Sequence, residues 1–314
     1  MEALTLILLT FNEEKNLPAL LESLKGVNAP VFAVDSYSTD STLRLLEARS
    51  IPFLQHPFEN YARQRNWAQA NNPFHTPWVF HLDAGERLTP EMVQWLNQQF
   101  DPEAAPDGYM FSRRTLFMGR WIRYGGHYPN YHLRLYRQDK GRCEDKAYDQ
   151  HFVVDGPTQT LPPGIDIIDT VTDTLKNFTE SHARWALFEA IETVARTQET
   201  GEVKASLWGT PIERRRWLKS RVFQRAPLFL RAFLYFFYRF FLKGGFRDGK
   251  EGLVFHVLQG FWFRFLVDAN VLEVRQKMQN APPGTNLKTV VAHEYGDRFT
   301  KAIGPAGPQD RQEH

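Results

Sequence analysis

The sequence predicts an α/β fold: a parallel sheet with helices on both faces, followed by a smaller appended region. Three observations point there. Strand-like apolar runs alternate with segments of helical spacing, polar acid-bearing loops follow three of the runs, and 314 residues with 42% apolar composition suffice for one sizeable domain plus an appendage.

Leu4 to Leu9 is a short β-compatible run, and Leu17, Leu20, Leu21 and Leu24 recur at the spacing of one helix face. A strand at Val31 to Val34, a helix beginning near Ser41, a strand around Phe53, a helix over Tyr61 to Ala70 and a strand at Trp78 to Leu82 complete a βαβαβαβ order. Such sheets bind ligands at the carboxyl ends of their strands. A later helix is expected over Ser181 to Glu199, and the composition shifts at Gly201 to Thr210. The expected division is therefore a first domain of residues 1–205, a helical region of residues 206–280, and a loosely ordered tail of residues 281–314 with Pro282-Pro283-Gly284 and Gly304-Pro305-Ala306-Gly307-Pro308.

The formal net charge is +2, so any electrostatic partner has to be read from local charge. The single cysteine, Cys143, cannot make an internal disulfide, in keeping with a reducing compartment. Met1-Glu2 leads directly into a strand-like run without the basic and apolar regions of a signal peptide, from which synthesis in the cytosol is expected. The sequence has no internal repeat, Cys/His zinc pattern, Walker A loop or dinucleotide glycine fingerprint, and those classes fall away.

The loops after three strands carry the chemistry. They read Thr10-Phe11-Asn12-Glu13-Glu14, then Asp35-Ser36-Tyr37-Ser38-Thr39-Asp40-Ser41-Thr42, then Asp83-Ala84-Gly85-Glu86. An aromatic ring can stack on a base, a carboxylate can accept from a base N–H or a ribose hydroxyl, and an acidic cluster can hold a divalent ion against a diphosphate. Any one loop alone has a simpler reading, with Asn12 and Ser41 as helix N-caps and Asp83 closing a turn. Three at successive strand ends favour a nucleotide-sugar site.

Together these runs, continued as Arg87-Leu88-Thr89-Pro90-Glu91, resemble the signature segments of family 2 glycosyltransferases, inverting enzymes of the GT-A (Rossmann-like, nucleotide-sugar-binding) fold. There is a particular likeness to bacterial lipopolysaccharide-core β-glucosyltransferases, and it covers roughly the first two hundred residues. The resemblance implies that Phe11 and Glu13, flanked by Thr10 and Asn12, frame the base and ribose. It implies that Asp35 contacts the base, with Ser36 and Asp40 in the same loop, and that Arg65 lies near the donor. Asp83, with Ala84 and Gly85, would face the ribose and diphosphate. His182 and Arg184 match a His-x-Arg-aromatic segment of related enzymes and would approach the diphosphate, although a lone histidine at a helix start more often serves packing.

Family members usually place a second acid two positions after the first, as a ligand for Mg²⁺ or Mn²⁺; this chain has Gly85 there. Asp83 and Glu86 remain as ligands, and a divalent cation is still expected, since Mg²⁺ often takes only one or two carboxylates besides phosphates and waters. An inverting transfer also needs a base on the acceptor side. The segment Arg142 to His151 supplies three carboxylates, with Asp145 the first candidate, Asp149 the second and Glu144 the third. The ordinary reading of such a run is a solvated loop. The Gly125-Gly126-His127-Tyr128-Pro129-Asn130 stretch is expected to be a flexible loop shaping the acceptor pocket, or a plain turn-rich connection.

Residues 214–247 hold ten Lys or Arg and no Asp or Glu, and residues 222–242 hold nine Phe or Tyr. Arginines inside the apolar run disfavour a spanning helix. The expectation is an interfacial helix whose aromatics enter the acyl boundary while Arg225, Arg231, Arg239 and Lys243 meet anionic headgroups. The alternative is that these helices pack on the catalytic domain or across a dimer interface. Nucleic acid is not expected, because the aromatics are clustered. The function expected is transfer of a hexose, UDP-glucose being the favoured donor, to a lipid-linked saccharide such as the lipopolysaccharide core. The place is the cytoplasmic face of the inner membrane, peripherally bound. A polyprenyl-phosphate sugar transferase and a non-catalytic nucleotide-sugar-binding module are the alternatives.

Overall fold

A computed structural model describes residues 3–104, 106–145, 150–170, 174–195, 206–221 and 226–303, with the backbone alone described at residues 216 and 218–221. The chain divides into two compact units, the first comprising Met1–Asp145 and Gln150–Asp173 and the second continuing from Thr174.

The first unit is built on a ten-stranded sheet. Strands β1 (Leu4–Thr10), β2 (Val31–Asp35), β3 (Phe53–Gln55) and β4 (Trp78–Asp83) lie in the order β3-β2-β1-β4 and are parallel. Helices α1 (Leu17–Ser23), α2 (Thr42–Glu47) and α3 (Tyr61–Ala70) make the crossovers. Strands covered on both faces have no reason to alternate, which is why β1 reads as a continuous apolar run. Leu6, Leu8, Leu17, Leu20, Trp78 and Phe80 form the centre of the core. Asn60 caps α3 by accepting from the Arg63 N–H at 2.9 Å, and Thr89 caps α4 (Pro90–Gln98), whose first position is proline.

The expected parallel order holds over β1 to β4 and then changes, giving a mixed α/β domain. Beyond β4 come β5 (Glu86–Leu88), β6 (Gly108–Phe117), β7 (Arg120–Trp121) and β8 (Tyr131–Arg137); β8 lies antiparallel between β4 and β6. The cause is local. β6 turns into β7 through Met118 and Gly119, both at positive φ, and no helix intervenes before β8, so these neighbours pair antiparallel. Strands β9 (Gly141–Cys143) and β10 (Phe152–Val154) form a separate ribbon, β11 (Thr158–Thr160) pairs with β6, and β12 (Asp166–Thr170) joins β6 to β5.

The second unit is helical: α5 (Leu175–Val194), α6 (Pro211–Arg221), α7 (Leu230–Phe237), α8 (Gly249–Phe255), α9 (Phe263–Asn280) and α10 (Leu287–Tyr295). Wider π-type turns continue α7 through Leu242 and join α8 to α9 over His256–Trp262. A side chain on Gly245 would place its Cβ 2.6 Å from His256 Nε2, so this turn requires glycine. Three expectations change here. The division falls ahead of α5 rather than in the 201–210 stretch. The supposedly loose tail from Ala281 contains α10 and a turn of 3₁₀ helix over Asp297–Ile303, with Val291, Phe299 and Ala302 buried. Arg231 and Arg239 point inward and are buried, while Arg225 lies outside the described residues.

Candidate functional site

Because β2, β1 and β4 are adjacent and in register, with Thr10 beside Asp35 and Leu9 beside Asp83, all three acid-bearing loops leave one sheet edge together. The first two are tied to each other. Asn12, in the left-handed region at φ 55, donates its N–H to Ser38 Oγ at 2.8 Å and accepts at Oδ1 from the Thr39 N–H at 2.8 Å. The Glu13 N–H donates to Thr42 Oγ1 at 2.8 Å and the Glu14 N–H to an Asp40 carboxylate oxygen at 3.0 Å. Ser36 Oγ accepts from Gln64 of α3 at 3.1 Å.

Asp35 is fully buried and accepts from Thr10 Oγ1, Ser38 Oγ, the Ser38 N–H and Gln55 Nε2. Four donors fill the four lone-pair sites of a carboxylate. Asp35 therefore organises the loop, and the base contact expected of it would require breaking one of these bonds. The surfaces open for stacking are the rings of Phe11, 58% exposed, and Tyr37, 53% exposed and at φ 62.

At the end of β4 the Asp83 carboxylate is gripped from two sides. Arg65 of α3 donates to both of its oxygens at 2.9 and 3.0 Å, and Arg134 of β8 donates to Oδ2 at 3.0 Å. Arg134 also reaches Glu86 Oε1 at 2.9 Å, and Glu86 Oε2 accepts from the Asp83 N–H at 2.9 Å. Phe152 lies beneath both guanidinium groups, at 5.3 and 5.6 Å. Burial works to raise the Asp83 carboxyl, but the two arginines outweigh it and hold it well below the usual carboxylate range. Burial pushes Glu86 up to about 7 against the pull of Arg134. His81, packed between Tyr136 and Phe152, is lowered to about 3 by burial and by the same two cations, and stays neutral.

The divalent cation expected at Asp83 and Glu86 does not fit this arrangement. Three of the lone-pair positions on Asp83 are taken by guanidinium N–H groups, and both Glu86 oxygens already accept bonds. A metal here would displace two buried cations. Ala84 and Gly85 form the turn between the two acids and supply no ligand, and among the described residues no group of three His, Cys, Asp or Glu side chains is arranged to hold a metal.

The acceptor-side candidates separate. Asp145 is exposed and lies 3.7 Å from Arg63 of α3, whereas Glu144 is buried and accepts from the His151 N–H at 3.0 Å. Asp149 falls outside the described residues. Asn66 of α3 fixes the start of this loop, accepting from the Cys143 N–H and donating to the Cys143 carbonyl, each at 2.8 Å. The 125–130 loop is pinned rather than loose: Tyr128 donates to Asp166 at 2.9 Å, the Asn130 N–H donates to Ser112 Oγ at 2.8 Å, and His127 bonds Thr115 at 2.8 Å.

His182 and Arg184 belong to the second unit. The His182 ring stacks on Phe178 at 3.8 Å, bonds the Phe178 carbonyl through Nδ1 and meets Trp185 and Phe263 edge-on; burial lowers its pKa. It is a packing histidine. Arg184 is exposed, 3.5 Å from Ser181 Oγ. Arg134 and Tyr37 were not among the site residues expected from sequence.

Residues 5–151 match the sequence profile of the family described as Glycosyl transferase family 2. That stretch, a little under half of the chain, is similar to family 2 glycosyltransferases. The matched stretch includes all the strand-end loops described above. The chain is 30% identical over 146 residues to the lipopolysaccharide core biosynthesis glycosyltransferase LpsC of Rhizobium meliloti strain 1021, covering 45% of this chain and 53% of that protein. It is 27% identical over 92 residues to an uncharacterized glycosyltransferase of Rickettsia typhi, covering 29% and 31% of the two chains. The chain thus spans about half the length of the Rhizobium relative and less of the Rickettsia one. Among solved structures, S. aureus TarS 1-349 in complex with UDP is 16% identical, with 96% of this chain and 89% of that chain covered and a TM-score of 0.41.

Proposed function

We propose that the protein is an inverting glycosyltransferase that moves a hexose, with UDP-glucose the favoured donor, onto a lipid-linked saccharide such as a lipopolysaccharide core, working at the cytoplasmic face of the inner membrane. The observation that carries this reading is the Asp83 carboxylate at a strand end, held by Arg65 and Arg134. An uncompensated carboxylate would repel a diphosphate. The two guanidinium groups offset its charge and leave its open side to accept a ribose hydroxyl. Phe11 and Tyr37, on the neighbouring strand ends, offer rings for the base, with Glu13 on the ribose side. The likeness to a Rhizobium lipopolysaccharide core enzyme supports the acceptor class.

In this reading Asp145 takes the proton of the acceptor hydroxyl. The acceptor oxygen then bonds to the anomeric carbon from the face opposite the diphosphate, and the carbon–oxygen bond to the diphosphate breaks, the nucleoside diphosphate leaving with the electron pair. The configuration inverts. Asp149 is the second candidate for the base, and the burial and His151 bond of Glu144 suit it to positioning its neighbour.

The test is a panel of nucleotide sugars screened by thermal shift with and without Mn²⁺, followed by transfer of labelled sugar to a core glycolipid. UDP-glucose should raise the melting temperature and label the glycolipid. A panel in which no nucleotide sugar binds would sink the reading.

A further inference from the structure

The helix formed by α7 and its continuation through Leu242 has its polarity inside out. Arg231 is buried and bonds Asp268 of α9 through Nε at 2.8 Å, and the other Asp268 oxygen accepts the Phe229 N–H at 2.7 Å. Arg239, also buried, donates to Tyr235 Oη at 3.1 Å. Leu230, Phe233, Leu234, Phe237, Tyr238, Phe241 and Leu242 are all exposed, at the three- and four-residue spacing of one helix face. Phe246 extends this stripe into the following turn.

The inner face explains why the stripe is outside. Asp268 takes the arginine and caps the start of α7, so the helix cannot roll to hide its aromatics without stranding a buried charge. A contiguous apolar face of this kind marks an interaction site. Its border identifies the partner. Lys243 and Lys250 are exposed at the end of the stripe, and the only carboxylate between residues 226 and 250, Asp248, is buried. Among the described residues no helix is long and apolar enough to cross a membrane.

We propose that the outward face of residues 230–246 is an interfacial membrane-docking surface, inserting its aromatic stripe among acyl chains while Lys243 and Lys250 meet anionic headgroups. The aromatics and Lys243 keep the parts expected from sequence, whereas Arg231 and Arg239 brace the helix from within instead of meeting headgroups. The proposal does not depend on the glycosyl-transfer reading, since docking is measured without a sugar donor.

The test is co-sedimentation of the full chain with phosphatidylcholine vesicles, with and without phosphatidylglycerol. Wild type should pellet with the anionic vesicles, and binding should weaken with salt. Joint replacement Phe233→Ser, Phe237→Ser and Phe241→Ser should lower the bound fraction roughly tenfold or more while near-ultraviolet circular dichroism stays unchanged. Lys243→Glu with Lys250→Glu should lower binding and its salt dependence. Equal binding to both vesicle types, or unchanged binding of the serine variant, would overturn the proposal. So would a dimer in light scattering that the serine variant dissociates, with no vesicle binding, since the stripe would then cover a second copy of the chain.

Discussion

The guanidinium of Arg134 lies 3.0 Å from the Asp83 carboxylate and 2.9 Å from that of Glu86, so one buried cation serves both acids of the β4–β5 turn. Replacing Arg134 by leucine strands Glu86 without its cation. Removing one partner of such a pair costs about 3 kcal/mol or more. Urea unfolding of Arg134→Leu should show that loss, and titration calorimetry should show weaker UDP binding, because Asp83 then rests on Arg65 alone. An unchanged unfolding midpoint would contradict the shared-cation description.

Gly85 is a chemical departure rather than a steric one. A Cβ there would meet the Thr170 carbonyl at 3.7 Å, an ordinary contact, and the residue is not at positive φ. Gly85→Asp should therefore fold with a melting temperature close to wild type. It adds an acid beside a half-exposed one, and turnover of the variant should acquire sensitivity to EDTA that is restored by Mn²⁺. Wild-type turnover should be indifferent to EDTA; strong inhibition of wild type would mean that a metal displaces the arginines.

Asp145→Asn should lower kcat about 100-fold or more, the typical weight of a general base, while UDP-glucose affinity stays within about twofold. The split follows from placement, since Asp145 stands on the β9 loop and not among the strand-end loops. If Asp149→Asn shows this behaviour and Asp145→Asn does not, the base is Asp149.

Acid should weaken the second unit through His256. Burial, reinforced by Arg239, lowers this imidazole to about 4 from 6.5. Between those values the unfolded chain binds a proton that the folded chain does not, so stability falls as pH drops from 6.5 toward 4 and is retained above 6.5. The full loss from this group is on the order of 3 kcal/mol. Melting at pH 5 and pH 7 should differ less in His256→Leu than in wild type.

The parallel half of the sheet was legible because strands buried on both faces write themselves as unbroken apolar runs, and loops at their carboxyl ends follow directly. Arg134 was hidden for the opposite reason. It sits inside a strand and its partner Asp83 is 51 positions away, so nothing local announces the pair. The alternation misleads as well, because Arg134 shares the polar row of His132 and Tyr136 opposite Leu133 and Leu135, a row expected to face water, yet Arg134 and Tyr136 are buried. The orientation of α7 was lost similarly: charge suggests water, but Asp268, 37 positions downstream, draws Arg231 inward. In the C-terminal segment the Pro and Gly runs masked Leu287, Val290 and Val291, whose spacing is that of a helix face.

Asn66 gives α3 the bonding of a neighbouring strand. Its amide both offers and receives a proton at the Cys143 peptide, as a ladder partner would, yet it does so from a helix. The root of the loop after β9 is therefore moored one residue from Arg65. Asn66 and Arg65 are consecutive on α3, so the helix that grips Asp83 also fixes where the loop after β9 begins.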